Sequence, residues 1–180
     1  MEASIIHFGE NRIEEVENKW DKLSRELRKK TVLHMVGKVQ SKKAARAVAH
    51  CDWIHSVDRL KLANKLSEAA QKLNKKIKIL VQVNTSGERQ KSGYWLSNWF
   101  ENKSSDSLKL LERDLLEISK IKGVKLKGLM TMAPFSRDEE IRRTTFGRLS
   151  ELRDYLVKSN PSLDLEHLSM GMTNDYIEIG

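Results

Sequence analysis

Short apolar runs alternate along this chain with longer stretches in which apolar residues recur every three or four positions. The runs span residues 5–11 (IIHFGEN), 32–41 (VLHMVGKVQS), 53–58 (WIHSVD), 77–84 (IKILVQVN), 126–135 (LKGLMTMAPF) and 168–175 (LSMGMTND). Each ends in a cluster of small or polar residues, as buried parallel strands do where the chain turns over the carboxyl edge of a sheet. Between them, residues 10–30 place Ile13, Val16, Trp20, Leu23 and Leu27 on one helical face. Glu10, Glu14 and Glu15 near the start and Arg28, Lys29 and Lys30 at the end complement the helix dipole. A short helix is predicted over 41–49. A longer one is predicted over 58–74, with Asp58 as N-cap and Leu62, Leu66, Ala69 and Leu73 inward. Residues 107–121 repeat the pattern with Leu108, Leu111, Leu115 and Ile118. Residues 138–158 repeat it with Ile141, Thr145, Leu149, Leu152 and Leu156, stopping before Asn160-Pro161. The longest irregular segment runs from 84 to 107, where Trp95 and Trp99, four apart, predict a short helix on the rim.

Strand and helix in alternation predict a parallel sheet with helices outside, in one α/β domain over residues 1–180. The expected architecture is a TIM-type (β/α)8 barrel, incomplete because only about six strands are visible where eight are needed. Ligands in such folds sit at the carboxyl edge of the strands. Hydrophobic content of 39% and charged content of 32% describe a polar globular chain. No apolar stretch approaches the roughly 20 residues that span a bilayer, and the start, MEASIIHFGEN, has no leader-like pattern. These features, and a single cysteine, Cys51, expected as a small buried side chain, suit a reducing cytoplasm and no membrane partner. The net charge of +8 raises nucleic acid as a partner. The basic residues are scattered over helix faces among acidic ones and match no nucleic-acid module, so solvated helix faces are the expectation.

The candidate chemistry lies at the strand ends. Ser169, Met170 and Gly171, with Thr173 beyond, offer hydroxyls and closely approachable backbone N–H groups to an anion such as a phosphate. An ordinary capped turn reads the same way from spacing alone. Asn11 either bonds a ligand at the mouth or caps the following helix. His34 is mid-strand, where a histidine is more often a packing or rim residue, and Ser56 and Asn84 carry the same two readings. Met130 and Met132 read most simply as packing. There is no Ser–His–Asp order, metal-ligand spacing, P-loop or G-x-G-x-x-G fingerprint.

In order along the chain stand FGEN (8–11), H-x-x-G-x-x-Q-S (34–41), IHSVD (54–58), QVN-x-SGE-x-x-K-x-G (82–93), KGLMTMAPF (127–135), F-x-x-L-x-x-L-R-D (146–154) and LSMGM-x-ND (168–175). Together they resemble the pyridoxal phosphate homeostasis protein family, which is similar to the barrel domain of alanine racemase. The resemblance implies a cytosolic, monomeric protein that binds pyridoxal 5′-phosphate (PLP) at the barrel mouth and buffers or delivers it without turnover. Ser169 and Gly171, with the backbone at Met170, match the family's phosphate-side motif. Asn11 matches a residue beside the cofactor, and His34 and Met130 match positions lining the mouth.

The chain also departs from the family pattern. The family's first strand, which ends in an S-K-T-like motif whose lysine forms the Schiff base with PLP, has no counterpart, and neither does the final helix and V-R-I-G-T-like strand, unless residues 177–180 (IEIG) echo it. Lys38 stands where the family usually has His, and Lys42 where it usually has Asn. The expectation is a barrel lacking its first and last units. Covalent attachment is then in doubt, a surface role is favoured for Lys38, and two open edges can pair with a second copy. The alternatives are a PLP-dependent racemase-like enzyme, and a remnant that acts through protein contacts.

Overall fold

The computed structural model describes residues 5–136 and 138–171. Six parallel strands form one curved sheet in the order β1-β2-β3-β4-β6-β7: β1 (His7–Glu10), β2 (Val32–Met35), β3 (Trp53–Val57), β4 (Ile77–Asn84), β6 (Val124–Met130) and β7 (His167–Ser169). The two-residue β5 (Tyr94–Trp95) pairs separately with the end of β4. Five connections carry α1 (Ile13–Trp20), α2 (Arg25–Lys30), α3 (Ala44–His50), α4 (Leu60–Lys72), α5 (Asp106–Ile118) and α6 (Glu139–Ser159). The result is a parallel α/β half-barrel, a six-stranded portion of the expected barrel. The predicted strands at 168–175 and 177–180 extend beyond the described residues.

The outer face of the sheet and the inner faces of the helices make the main core. Ile54, Ile77, Ile79 and Leu129 from the strands meet Leu62, Leu66, Leu108, Leu111, Leu115, Leu149, Leu152 and Leu156 from the helices, and all are fully buried. Each such side chain contributes about 1.5–3 kcal/mol by leaving water. The inner face carries a second, smaller cluster of Trp53, Leu80 and Met130, with Val32, Val36 and Met132 against it.

Several details differ from expectation for physical reasons. The helix expected over 10–30 is two helices, because the Ser24 hydroxyl accepts from the Leu27 amide and starts α2 afresh; Leu27 is left half exposed. Asp58 does not cap α4. Its carboxylate pairs with Arg59, which occupies the N-cap position without a side-chain capping bond to the helix. Ile141, expected inward, is exposed near the start of α6. The segment after β4 forms β5 and turns rather than a helix. Trp99 is buried there, tilted against Tyr155 and donating Nε1–H to the Arg148 carbonyl, while Trp95 faces out. Lys75 is not on a solvated face: its ammonium donates to the Val48 and Cys51 carbonyls at the end of α3, where a cation offsets the helix dipole.

Gly128 sets a close approach that holds the sheet together, and Gly147 sets none. A Cβ at Gly128 (φ 157°) would sit 1.7 Å from the His167 carbonyl oxygen, so only glycine lets β7 lie against β6. Gly147, within α6, has nothing near the position a Cβ would take. Gly128→Ala is therefore expected to destabilise the protein by about 2–4 kcal/mol through loss of β7 pairing. Gly147→Ala should stabilise it by about 0.5–1 kcal/mol. Urea unfolding midpoints of the two variants check both signs.

Candidate functional site

The first three strands each carry a histidine in the third position of their apolar run: Ile5-Ile6-His7, Val32-Leu33-His34 and Trp53-Ile54-His55. Side chains alternate across a sheet, so these rings share the inner face while Leu33 and Ile54 point to the helices. The registers are staggered. His7 lies opposite Val32, and His34 lies opposite Gly9 on one side and Trp53 on the other. Each ring is thus two residues further along than its neighbour, and the three form a diagonal. His7 Nδ1 lies 2.9 Å from His34 Nε2, and His34 Nδ1 lies 2.8 Å from His55 Nε2.

The diagonal continues across the hollow. His55 Nδ1 is 2.7 Å from Ser169 Oγ on β7. In sheet order β3 and β7 are separated by β4 and β6, so on a flat sheet their side chains would stand parallel about 14 Å apart. The sheet must therefore curl for them to meet. A second contact repeats the crossing: the His167 ring packs edge-on against Trp53, with centroids 5.0 Å apart. Trp53 also stacks flat on His34 at 5.6 Å and lies under the Lys78 ammonium at 4.9 Å. Met130, opposite Ser169 in register, is buried against Trp53 and Leu80.

Burial dominates the electrostatics. It pulls His34 down to about 4, helped by His7 and Lys78 and opposed by the Asp52 carboxylate. It pulls His55 down to about 4 as well, helped by His34 and His167. Both rings are neutral at pH 7, and each offers one N–H and one bare nitrogen. Cys51 is fully buried and takes no part; its thiol is pushed up to about 12 by desolvation. Among the described residues no group of three or more His, Cys, Asp or Glu is arranged to hold a metal ion, and no helix is long and apolar enough to cross a membrane.

The six candidate residues fall in three places. His34 and Ser169 are joined through His55. Met130 is part of the apolar floor, and Gly171 follows Ser169 with φ 87°, a left-handed turn natural to glycine. Met170 packs its side chain toward the outer core, leaving its backbone at the strand end. Asn11 is exposed where β1 ends, lining a small hollow of about 70 Å³ with Lys38 and Lys43. A Cβ at Gly37 would lie 2.0 Å from the Asn11 carbonyl oxygen, so the ends of β1 and β2 are pressed together there. The largely apolar hollow of about 290 Å³ lined by Phe8, Trp20, Leu23 and Leu27 involves α1 and α2 and holds none of these residues.

A loop closes over the carboxyl edge. Lys38 Nζ donates to Ser92 Oγ at 2.8 Å, tying β2 to the segment after β4. Lys91 donates to the Met132 and Ala133 carbonyls beyond β6 and pairs with Glu88 at 2.7 Å. His55 and His7 were not singled out from sequence. Their recurring third position in successive strands was the available signal, but the contact to Ser169, 114 residues away, had none.

The lowered histidines set a pH dependence. A base that binds protons less readily when folded lets acid favour the unfolded chain. The stability they contribute is complete above about 6.5, the ordinary imidazole value, and is lost as pH falls toward about 4. Chemical denaturation at steps between pH 7 and 4 should show a falling midpoint over that window. A flat profile would contradict neutral, buried rings.

Known proteins share this fold. Residues 1–179 match the family described as alanine racemase, N-terminal domain. The pyridoxal phosphate homeostasis protein of Synechocystis is 36% identical over 176 residues, covering 98% of this chain and 74% of that one. The protein of the same name from Vibrio alginolyticus is 33% identical over 175 residues, covering 97% and 69%. The structure of PipY from Synechococcus elongatus with PLP bound superposes with a TM-score of 0.76 at 30% identity, covering 97% of this chain and 74% of that one. An alanine racemase from Clostridium difficile shares the fold with a TM-score of 0.66 at 14% identity, covering 92% and 39%. The match over nearly every residue, together with relatives above 30% identity along most of their length, places the chain in the alanine racemase N-terminal domain family.

Proposed function

We propose that this protein binds PLP reversibly at the carboxyl edge of its half-barrel and serves cytoplasmic vitamin B6 homeostasis as a single, non-catalytic, monomeric domain. The observation that carries the reading is the convergence of β3 and β7, which holds the Ser169 hydroxyl at the strand end beside neutral imidazoles. The relatives named as pyridoxal phosphate homeostasis proteins and the PLP-bound PipY structure support it.

The donor set suits this ligand. A phosphate ester needs hydroxyl and backbone N–H donors with room for close approach, which Ser169 and the turn at Gly171 offer. A flat ring needs an apolar or aromatic bed, which the half-buried His34 and the Met130 floor supply. The exposed Asn11 amide and the Lys38 ammonium add polar groups at the ends of β1 and β2. When bound, PLP supplies an aldehyde that condenses with amines and a ring that draws off electrons. The chain's own residues bind and orient it.

The lysines at the edge argue against a covalent anchor among the described residues. Attack on an aldehyde needs a neutral amine. Lys91 Nζ is engaged by Glu88 and two backbone carbonyls, and Lys38 is exposed with its Nζ bonded to Ser92.

Equilibrium dialysis against PLP tests the reading. Saturable one-to-one binding is expected, with Ser169→Ala weakening it about tenfold or more through loss of a charge-assisted bond. Borohydride reduction followed by peptide mapping should find no stoichiometrically labelled lysine. Polarimetry should show no racemisation of L-alanine. Absence of saturable binding in folded protein would overturn the proposal, and alanine racemisation would replace it with the enzymatic reading.

A further inference from the structure

Neither His7 nor His55 is among the residues matched to a cofactor, yet both stand in an unbroken line of hydrogen bonds ending at Ser169. A neutral imidazole has one N–H and one bare nitrogen. Three such rings joined nitrogen to nitrogen have only two consistent proton arrangements. In the outward one, Ser169 donates to His55 Nδ1, His55 Nε2 donates to His34 Nδ1, and His34 Nε2 donates to His7 Nδ1. In the inward one, His7 Nδ1 donates to His34 Nε2, His34 Nδ1 donates to His55 Nε2, and His55 Nδ1 donates to Ser169 Oγ. His34 cannot change alone, because it would face N–H to N–H on one side and bare nitrogen to bare nitrogen on the other, and either end ring changing alone would create one such mismatch with His34.

The two arrangements differ at the strand end. In the outward one the Ser169 proton is spent on His55, and the hydroxyl presents only lone pairs to a ligand. In the inward one Ser169 receives a bond from His55 and its proton is free to be donated. We propose that His7, His34 and His55 form a directional relay that orients the Ser169 hydroxyl, and that an anionic phosphate ester at the end of β7 locks the relay inward. The inference rests on the reading of Ser169 as a phosphate contact. A phosphate dianion has acceptors and no proton to give, so it repels the outward hydroxyl and bonds the inward one. The bond from His55 then polarises the Ser169 O–H toward the anion, as linked hydrogen bonds do. Burial keeps His34 and His55 neutral, so the one-donor rule holds for these two rings at pH 7; the charged and titratable groups acting on them are His7, Asp52, Lys78 and His167. The three histidines are positioning residues: His7 is exposed at the outer end of the line, and it reaches Ser169 only through the other two.

The test is imidazole ¹⁵N spectroscopy on the intact chain at pH 7, free and with saturating inorganic phosphate, PLP or phosphate-free pyridoxal. With PLP or phosphate, His34 and His55 should both be Nδ1–H tautomers. Pyridoxal should leave the spectrum of the free protein unchanged. His7→Phe should bind PLP about fivefold more weakly, the effect of one lost neutral hydrogen bond, and His7→Gln, which can still donate, should restore affinity. PLP bound with His55 as the Nε2–H tautomer would overturn the relay while leaving PLP binding standing. Failure of folded protein to bind either phosphate compound would overturn both.

Discussion

Everything in this molecule that bears on function depends on the curl of one parallel sheet. Hydrogen bonding fixes the strand order and puts β3 and β7 three strands apart, while the inner-face contacts require their side chains to touch. Both hold only if the sheet closes toward a barrel. The helices impose that curvature from outside, since their leucines fill the convex face, and glycine at 128 removes the one side chain that would hold β7 away from β6. The concave face is then left with polar rings over an apolar floor, an unusual surface for a sheet interior and the right one for a flat, charged cofactor.

The polar line inside the hollow is consistent with its cost. A buried imidazole without partners is unfavourable, and here each inner ring has both nitrogens engaged. Satisfaction of this kind makes the arrangement rigid and all-or-none. Two lysines add loop latches at the edge: Lys38 to Ser92, and Lys91 to the carbonyls after β6. They join strand ends that belong to different βα units, so the mouth is held from above by side chains as well as from below by the sheet.

The strands were legible from sequence because buried parallel strands are largely apolar along their length, and each of the six runs overlaps a strand among the described residues. Helix existence was legible from the recurrence of Leu62, Leu66, Leu108 and Leu111, but ends and breaks were not. Ser24 restarts a helix in a stretch whose periodicity looks continuous, and Asp58 prefers a guanidinium to a helix terminus. The site was half legible. Ser169 and Gly171 carry a recognisable small-residue signature, and His34 was noticed as one histidine among hydrophobic neighbours. Its significance depends on His7, His55 and Ser169, which lie 27, 21 and 135 residues away; no local pattern encodes a contact made by curvature.

The central claim is that β3 and β7 meet across the hollow at His55 and Ser169. A double-mutant cycle on unfolding free energy, with His55→Ala, Ser169→Ala and the pair together, measures that contact directly. The structure predicts a coupling of about 1 kcal/mol, the worth of one half-buried hydrogen bond. Additive effects within about 0.3 kcal/mol would mean that the two side chains do not touch.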